Sequence, residues 1–293
     1  MKILISGASG MVASELKRQL QADGHEITSL VRRATTSPTE VRWDPSIGQI
    51  PEDSIEAADA VINLSGASLG KLPWPPGYKK TILQSRLQTA GTLASAINAA
   101  ANPPKTFLSA SAVGYYGDRP GETLTEESTR GEGFLPHVVD EWETASRVAA
   151  KATRVVTLRT GMVIGSGGSA APIVALSKVG LGSRLGNGRA DWAWISLHDE
   201  ASAIRHLLAS KLSGPVNLTG PTVATSDDVT RYIANKLGRS YLLRIPRWVI
   251  TAALQDAGNA LLFTSQNVRP DRLLGDGFQF RDTTVREAVD AFL

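Results

Sequence analysis

The sequence predicts an α/β chain: a doubly wound parallel sheet with a smaller C-terminal lobe. Three observations carry this. Short apolar strands alternate with helices of three-to-four apolar spacing from residue 2 to residue 159. The first strand runs straight into a glycine-rich turn and then a helix, the order expected of a Rossmann-type dinucleotide site. Beyond Gly161 the alternation loosens into glycine-rich connections around short apolar helices. The expected division is a dinucleotide-binding domain over residues 1–165, to which residues 192–238 return. Residues 166–191 and 239–293 make the smaller lobe.

The elements follow in order. Lys2-Ile3-Leu4-Ile5 is a short buried strand, and Gly7 to Ala13 reads G-x-x-G-x-x-A. Gly7 permits the tight turn. Gly10 lets a pyrophosphate approach the backbone at the positive end of the helix that carries Val12, Leu16 and Leu20. Ala13, in the third position, still allows close helix–strand packing. Asp23-Gly24-His25 closes the helix. Glu26–Val31 is the second strand, Val41-Arg42-Trp43 a faint third and Ala60–Gly66 a strong fourth. A helix over residues 81–101 leads to the fifth strand, Thr106–Ser111. A helix over 138–150 leads to the sixth, Val155–Arg159. Later segments are a strand–helix pair from Trp194 to Leu208, a strand Pro215–Leu218 and a helix capped by Ser226, Asp227 and Asp228. An apolar helix over 248–262 follows.

Composition excludes several functions. No cysteine is present, which removes disulfides, thiolate zinc sites and cysteine nucleophiles and fits a reducing cytoplasm. The net charge of +3 comes without a Lys/Arg run longer than two, so no basic face for nucleic acid is evident. No stretch approaches the roughly 20 apolar residues of a membrane helix. The N-terminal apolar run is too short for a signal sequence.

The end of the second strand speaks to the cofactor. An acid there would bind the free ribose 2′-hydroxyl of NAD. The chain instead has Arg32 and Arg33, and paired guanidiniums suit the 2′-phosphate of NADP.

Gly7-x-x-Gly10, Asn63-Leu64-Ser65-Gly66 and Ser109-Ala110-Ser111-Ala112-Val113-Gly114-Tyr115-Tyr116-Gly117 occur in the right order. Together they resemble the extended short-chain dehydrogenase/reductase superfamily. Trp43-Asp44-Pro45, Ser85-Arg86, Trp142-Glu143, Leu158–Gly165, His198-Asp199 and Gly277–Phe280 narrow the resemblance. They point to its atypical epimerase-like, or cell-division-inhibitor-like, branch with a C-terminal domain of unknown function. The resemblance implies cofactor contacts at Gly7, Ser9, Gly10, Met11, Val12, Arg32, Leu64, Ser65 and Arg86. Gly66 and Ser109, at the same strand ends, and Val163, beyond the sixth strand, join the candidates, as does Arg33 on chemical grounds.

The superfamily's usual catalysis needs a Ser, a Tyr and a Lys four residues after the Tyr; the Lys lowers the phenol pKa. Ser111 sits where the Ser belongs. Between Asp118 and Ala150 there is neither Tyr nor Lys, and the two places hold Val139 and Glu143. The literal Tyr232-x-x-x-Lys236 lies in the C-terminal half, away from the fifth strand. Proton handling then falls to Tyr115, Tyr116, His137, Asp140 or Glu143, or the chain binds NADP without the usual chemistry. Trp74, Trp192 and Trp194 either line a substrate pocket or pack between the lobes. The expected partner is a small-molecule substrate; a homodimer stays open.

Overall fold

The computed structural model describes the backbone of residues 1–293 and every side chain but that of Ser169. Seven strands form its main sheet: β1 (Lys2–Ser6), β2 (Glu26–Val31), β3 (Glu40–Arg42), β4 (Ala60–Asn63), β5 (Thr106–Ala112), β6 (Arg154–Thr160) and β7 (Gly214–Leu218). All neighbours are parallel, in the order β7-β6-β5-β4-β1-β2-β3.

Alternation along each strand sets the layers. Ile3 and Ile5, Ile62, Leu108, Val156 and Leu158 enter one apolar cluster. Their neighbours Leu4, Val61, Phe107 and Val155 enter the cluster on the opposite face. Both faces are therefore covered, as a parallel sheet requires. Helices α1 (Met11–Ala22) and, further along the chain, Leu197–Ala209 cover the first face through Leu16, Leu20, Ile204 and Leu207. Helix α2 (Pro76–Ala99) covers the second through Leu93, Ala94 and Ile97. Helix α3 (Phe134–Arg147) lies beside α2. We label Leu197–Ala209 α4.

Strand order reverses at β1: β2 and β3 grow to one side and β4 to β7 to the other. The crevice at the carboxyl ends of β1 and β4 is thus the topological switch point, where ligands bind in such sheets.

A separate cluster of Ile164, Val174, Trp192, Trp194, Val229, Ile233 and Val289 forms a second core. Helix α5 (Ser226–Lys236) belongs to it. Its cap is Thr225 rather than Ser226: Thr225 Oγ1 accepts the Asp228 N–H while Asp228 accepts the Thr225 N–H at 2.9 Å. Trp194–Ser196 pairs with Met162–Ile164 outside the main sheet. The expected helix over 248–262 is broken. It runs Arg247–Leu254 and stops at Gln255, whose φ is +53°. The chain then folds back so closely that a Cβ on Gly258 would stand 2.9 Å from Ile250 Cγ2. No helix among the described residues is long and apolar enough to cross a membrane.

Glu200, in the first turn of α4, is fully buried. One oxygen accepts from Thr160 Oγ1 at 2.8 Å and the other has no partner among the described residues. Burial pushes its pKa up to about 8. The folded chain therefore holds a proton that the unfolded chain gives up above the ordinary value of 4.5. Stability falls as pH rises between these two values. Glu200→Met is expected to raise stability relative to the parent, by an increment growing from pH 4.5 to pH 8 and on the order of 3 kcal/mol at neutrality. Denaturant midpoints measured across that range check it; a pH-independent difference would contradict it.

Candidate active site at the carboxyl edge of the sheet

The turn after β1 is shaped around the end of β4. Gly7 has φ +73°, and a Cβ there would stand 2.5 Å from the Leu64 carbonyl oxygen, so only glycine fits. Gly10 donates its N–H to Gly7 O at 3.0 Å and starts α1. Helix α1 has no side-chain cap and no acid in its first turn, so its positive end is open to an anion. Ser9 and Gly10 are exposed, and Met11 and Val12 are half-buried. Met11 reaches the loop after Ile164: a Cβ on Gly168 would lie 3.0 Å from its Cε.

Beneath the turn a chain of buried polar groups ties the strand ends. Ser6 Oγ donates to Asn63 Oδ1 at 2.7 Å, and Asn63 Oδ1 also accepts the Ser65 N–H at 3.2 Å. Ser146 on α3 donates to Ser109 Oγ at 2.8 Å. Ser109 is fully buried and supports the site from below rather than facing the crevice. Val163 likewise lies in the sheet's core.

Arg86, on α2, is buried behind Gly66, where a Cβ would stand 3.3 Å from its Cζ. Its Nη1 donates to the carbonyls of Ile82 and Ala67, and its guanidinium lies 5.0 Å from the Trp142 ring centroid. Burial lowers its pKa to about 10, which still leaves a full charge at neutral pH. No ion pair neutralises it among the described residues. A buried, unneutralised guanidinium beside an uncapped helix start and a cradle that a Cβ would fill suits a dinucleotide's pyrophosphate.

At the β2 end, Arg32 is exposed and unpaired among the described residues. Arg33 differs from the expectation. Its fork closes on Glu40, with Nη1 at 2.9 Å and Nη2 at 2.6 Å from the two carboxylate oxygens.

Ser111, the penultimate residue of β5 and almost fully buried, donates its hydroxyl hydrogen to Glu143 Oε1 at 2.7 Å. Glu143 also accepts Arg159 Nε at 2.8 Å and Nη2 at 3.0 Å. Arg159 Nη1 donates to the Tyr116 hydroxyl at 3.1 Å, and that hydroxyl donates to Asn217 at 2.7 Å. Tyr116 is fully buried, and burial raises its pKa to about 12. It is a structural phenol, not one facing the crevice. Tyr115 is half-buried, its ring centroid 3.6 Å from the Arg159 guanidinium carbon. His137 is exposed, and Asp140 pairs with Arg130 at 3.7 Å. The acid at the place expected for lysine is therefore the partner of Ser111. Sequence reasoning missed Arg159, Asn217 and Glu126, which accepts the Asn217 N–H. An arginine inside an apolar strand was the available signal, because a buried charge needs a partner.

The tryptophans are core residues. Trp74 is buried beside Phe134 and donates to Leu69 O at 3.0 Å. Trp192 and Trp194 are buried in the C-terminal core and donate to Leu262 O and Thr222 O. Apolar burial with a satisfied indole N–H accounts for all three.

A cleft of about 760 Å³ is lined by Asp118, Asn187, Arg189, Arg244, Arg247 and Phe263 among others. None of its three arginines is in an ion pair among the described residues. Arg247 lies over the Phe263 ring at 5.2 Å. Gln266, just beyond this lining, donates to the carbonyls of Val113 and Gly117 at 2.8 and 2.9 Å. The lining is thereby anchored to the turn that follows Ser111.

Glu143→Ala leaves Arg159 buried and unpaired. We expect a loss of about 3–5 kcal/mol in chemical denaturation. Loss within 0.5 kcal/mol would show that the pair does not hold the edge together.

Comparison with known proteins agrees with this fold. The model of the NAD dependent epimerase/dehydratase family matches residues 3–219, and that of a domain of unknown function matches residues 245–292. An epimerase family protein of Mycobacterium leprae is 37% identical over 98% of this chain and 94% of its own. Human epimerase family protein SDR39U1 is 32% identical over 96% of this chain and 95% of its own. The crystal structure of that human protein with NADPH superposes with a TM-score of 0.91, at 30% identity, covering 100% of this chain and 99% of that one. A nucleoside-diphosphate sugar epimerase from Corynebacterium glutamicum gives 0.81 at 30% identity, covering 99% of this chain and 57% of that one. These matches do not support the cell-division-inhibitor-like label. The turn after β1, the seven-stranded parallel sheet and these whole-length likenesses place the chain in the NAD-dependent epimerase/dehydratase family, with a C-terminal domain of unknown function.

Proposed function

We propose that the protein binds NADP(H) and transfers hydride to or from an anionic, hydroxyl-bearing small molecule, without a Tyr/Lys pair. The NADP(H) half is supported by Arg32 at the β2 end, by Arg86 beside the cradle and by the NADPH in the human relative's crystal structure. Bound there, the cofactor supplies a hydride donor or acceptor.

The chemical half rests on one observation, the 2.7 Å hydrogen bond from Ser111 to Glu143. A serine hydroxyl has one hydrogen. With that hydrogen on Glu143, Ser111 offers the crevice only lone pairs, so it accepts from a substrate hydroxyl rather than donating to a carbonyl. A proton leaving that hydroxyl has a route to Ser111 Oγ as the serine's own hydrogen moves to Glu143 Oε1. Arg159 fixes Glu143 through both oxygens and so fixes the direction of Ser111. The three arginines of the neighbouring cleft, none of them in an ion pair among the described residues, suit a phosphate or carboxylate on the same substrate. Loss of hydride and proton from a carbinol serves an oxidoreductase and an epimerase alike.

A second reading, a non-catalytic NADP(H)-responsive protein, is favoured by Val139 at the place expected for tyrosine and by the burial of Tyr116. Absorbance at 340 nm separates the two. Phosphorylated alcohols and hydroxy acids with NADP⁺, and their carbonyl counterparts with NADPH, form the panel. We expect turnover that Ser111→Ala lowers about 100-fold while NADPH affinity, read by fluorescence titration, is unchanged. Arg244→Ala is expected to raise KM about tenfold with kcat unchanged. Tight NADPH binding with no absorbance change across the panel would establish the second reading.

A further inference from the structure

The edge formed by β2 and β3 carries an acid in a place where an NADP-binding edge has no use for one. Glu40 begins β3, in register with Ser29 of β2. Its carboxylate is mostly covered and accepts four hydrogen bonds. Arg33 Nη1 and Nη2 reach it at 2.9 and 2.6 Å, and the Thr36 N–H and Oγ1 at 2.7 and 3.1 Å. These bonds, Arg33 first, hold its pKa down to about 2, so it is anionic at neutral pH. Arg33 Nη1 also donates to Ala34 O at 2.8 Å. The loop from Arg33 to Thr36 is thus wound around this one carboxylate, and both Nη groups of Arg33 are committed to it.

Left bare, Glu40 would repel a phosphate on the adjoining ribose and favour a free 2′-hydroxyl. Arg32 stands next in sequence, exposed and unpaired among the described residues. We propose that Arg33 is a specificity-determining positioning residue that masks Glu40, and that Arg32 alone supplies the guanidinium for the 2′-phosphate. This rests on the NADP(H) reading above and divides a pair of arginines that the sequence presents as equivalent.

Fluorescence titrations of the full chain with NADPH, NADH and 2′-AMP test it. Arg33→Ala unmasks Glu40, and NADPH affinity is expected to fall about fivefold with NADH affinity held or raised. The double variant Arg33→Ala/Glu40→Gln removes the acid with its mask, and the NADPH:NADH ratio is expected to return to the parent value. Competition by 2′-AMP should follow the NADPH values. Were Arg33 a direct phosphate ligand, the double variant would stay as weak as Arg33→Ala, and the proposal would be overturned. An Arg33→Ala protein with unchanged affinities overturns it equally. A purely structural role would weaken NADPH and NADH together and leave their ratio alone. Arg32→Ala tests the underlying reading separately: it should abolish the preference for NADPH in every background. If it does not, the 2′-phosphate is bound elsewhere.

Discussion

The buried pair of Glu143 and Arg159 governs the carboxyl edge of the sheet. Arg159 lies in β6 between β5 and β7, almost fully out of solvent. A lone charge there would cost several kcal/mol, so the strand is tenable only because α3 brings a carboxylate to it. The remaining guanidinium surface goes to the Tyr116 hydroxyl and the Tyr115 ring. Three consequences follow from one contact. Tyr116 is drawn into the core, Tyr115 is held flat against a cation, and the Ser111 hydrogen points at Glu143. The acid at the expected lysine place is therefore no random replacement. It is half of an ion pair whose other half sits on the neighbouring strand, and the two account for each other.

The second constraint is the contact of Gly7 with the end of β4. It brings the turn after β1 against the Leu64 carbonyl and directs α1 at the switch point. The polar chain of Ser6, Asn63, Ser109 and Ser146 then fixes β1, β4, β5 and α3 relative to one another. Asn63 is the hinge of this arrangement, since its side chain serves Ser6, Ser65 and Ser109 together. The cradle and the Ser111 region are thus joined through buried hydrogen bonds.

Much of this was legible in the sequence, and the exceptions have physical reasons. Period-two apolar strands separated by helical spacing revealed the doubly wound sheet, because both faces of a parallel sheet are buried. The glycines of the turn revealed the cradle, because backbone geometry there tolerates no side chain. The tryptophans stayed open between pocket and core: an indole serves either with the same composition, and burial and the partner of its N–H show only in the fold. The pairing of Arg33 with Glu40 escaped because Glu40 is brought near by the β2–β3 pairing, which local sequence does not display. The break at Gln255 escaped because apolar spacing continues through it, while the fold-back depends on Gly258 meeting Ile250. The partner of Arg159 was hidden by the same kind of distance, although a charge inside an apolar strand already asked for one.

The arginines of this edge separate into two kinds, and the separation says more than the net charge of +3. Arg33 and Arg159 are neutralised by Glu40 and Glu143. Arg32, Arg86, Arg189, Arg244 and Arg247 have no carboxylate partner among the described residues. Arg86 is buried, where an uncompensated charge is hardest to sustain without an anion. The free set begins at the β2 end, passes the helix start after β1 and ends in the cavity beyond Ser111. This is the order in which a 2′-phosphate, a pyrophosphate and an anionic substrate would lie if Ser111 meets the reacting carbon. Five arginines without an ion pair among the described residues thus fall along one proposed path. The neutralised arginines define the walls of that path, and the free ones define what it is expected to hold.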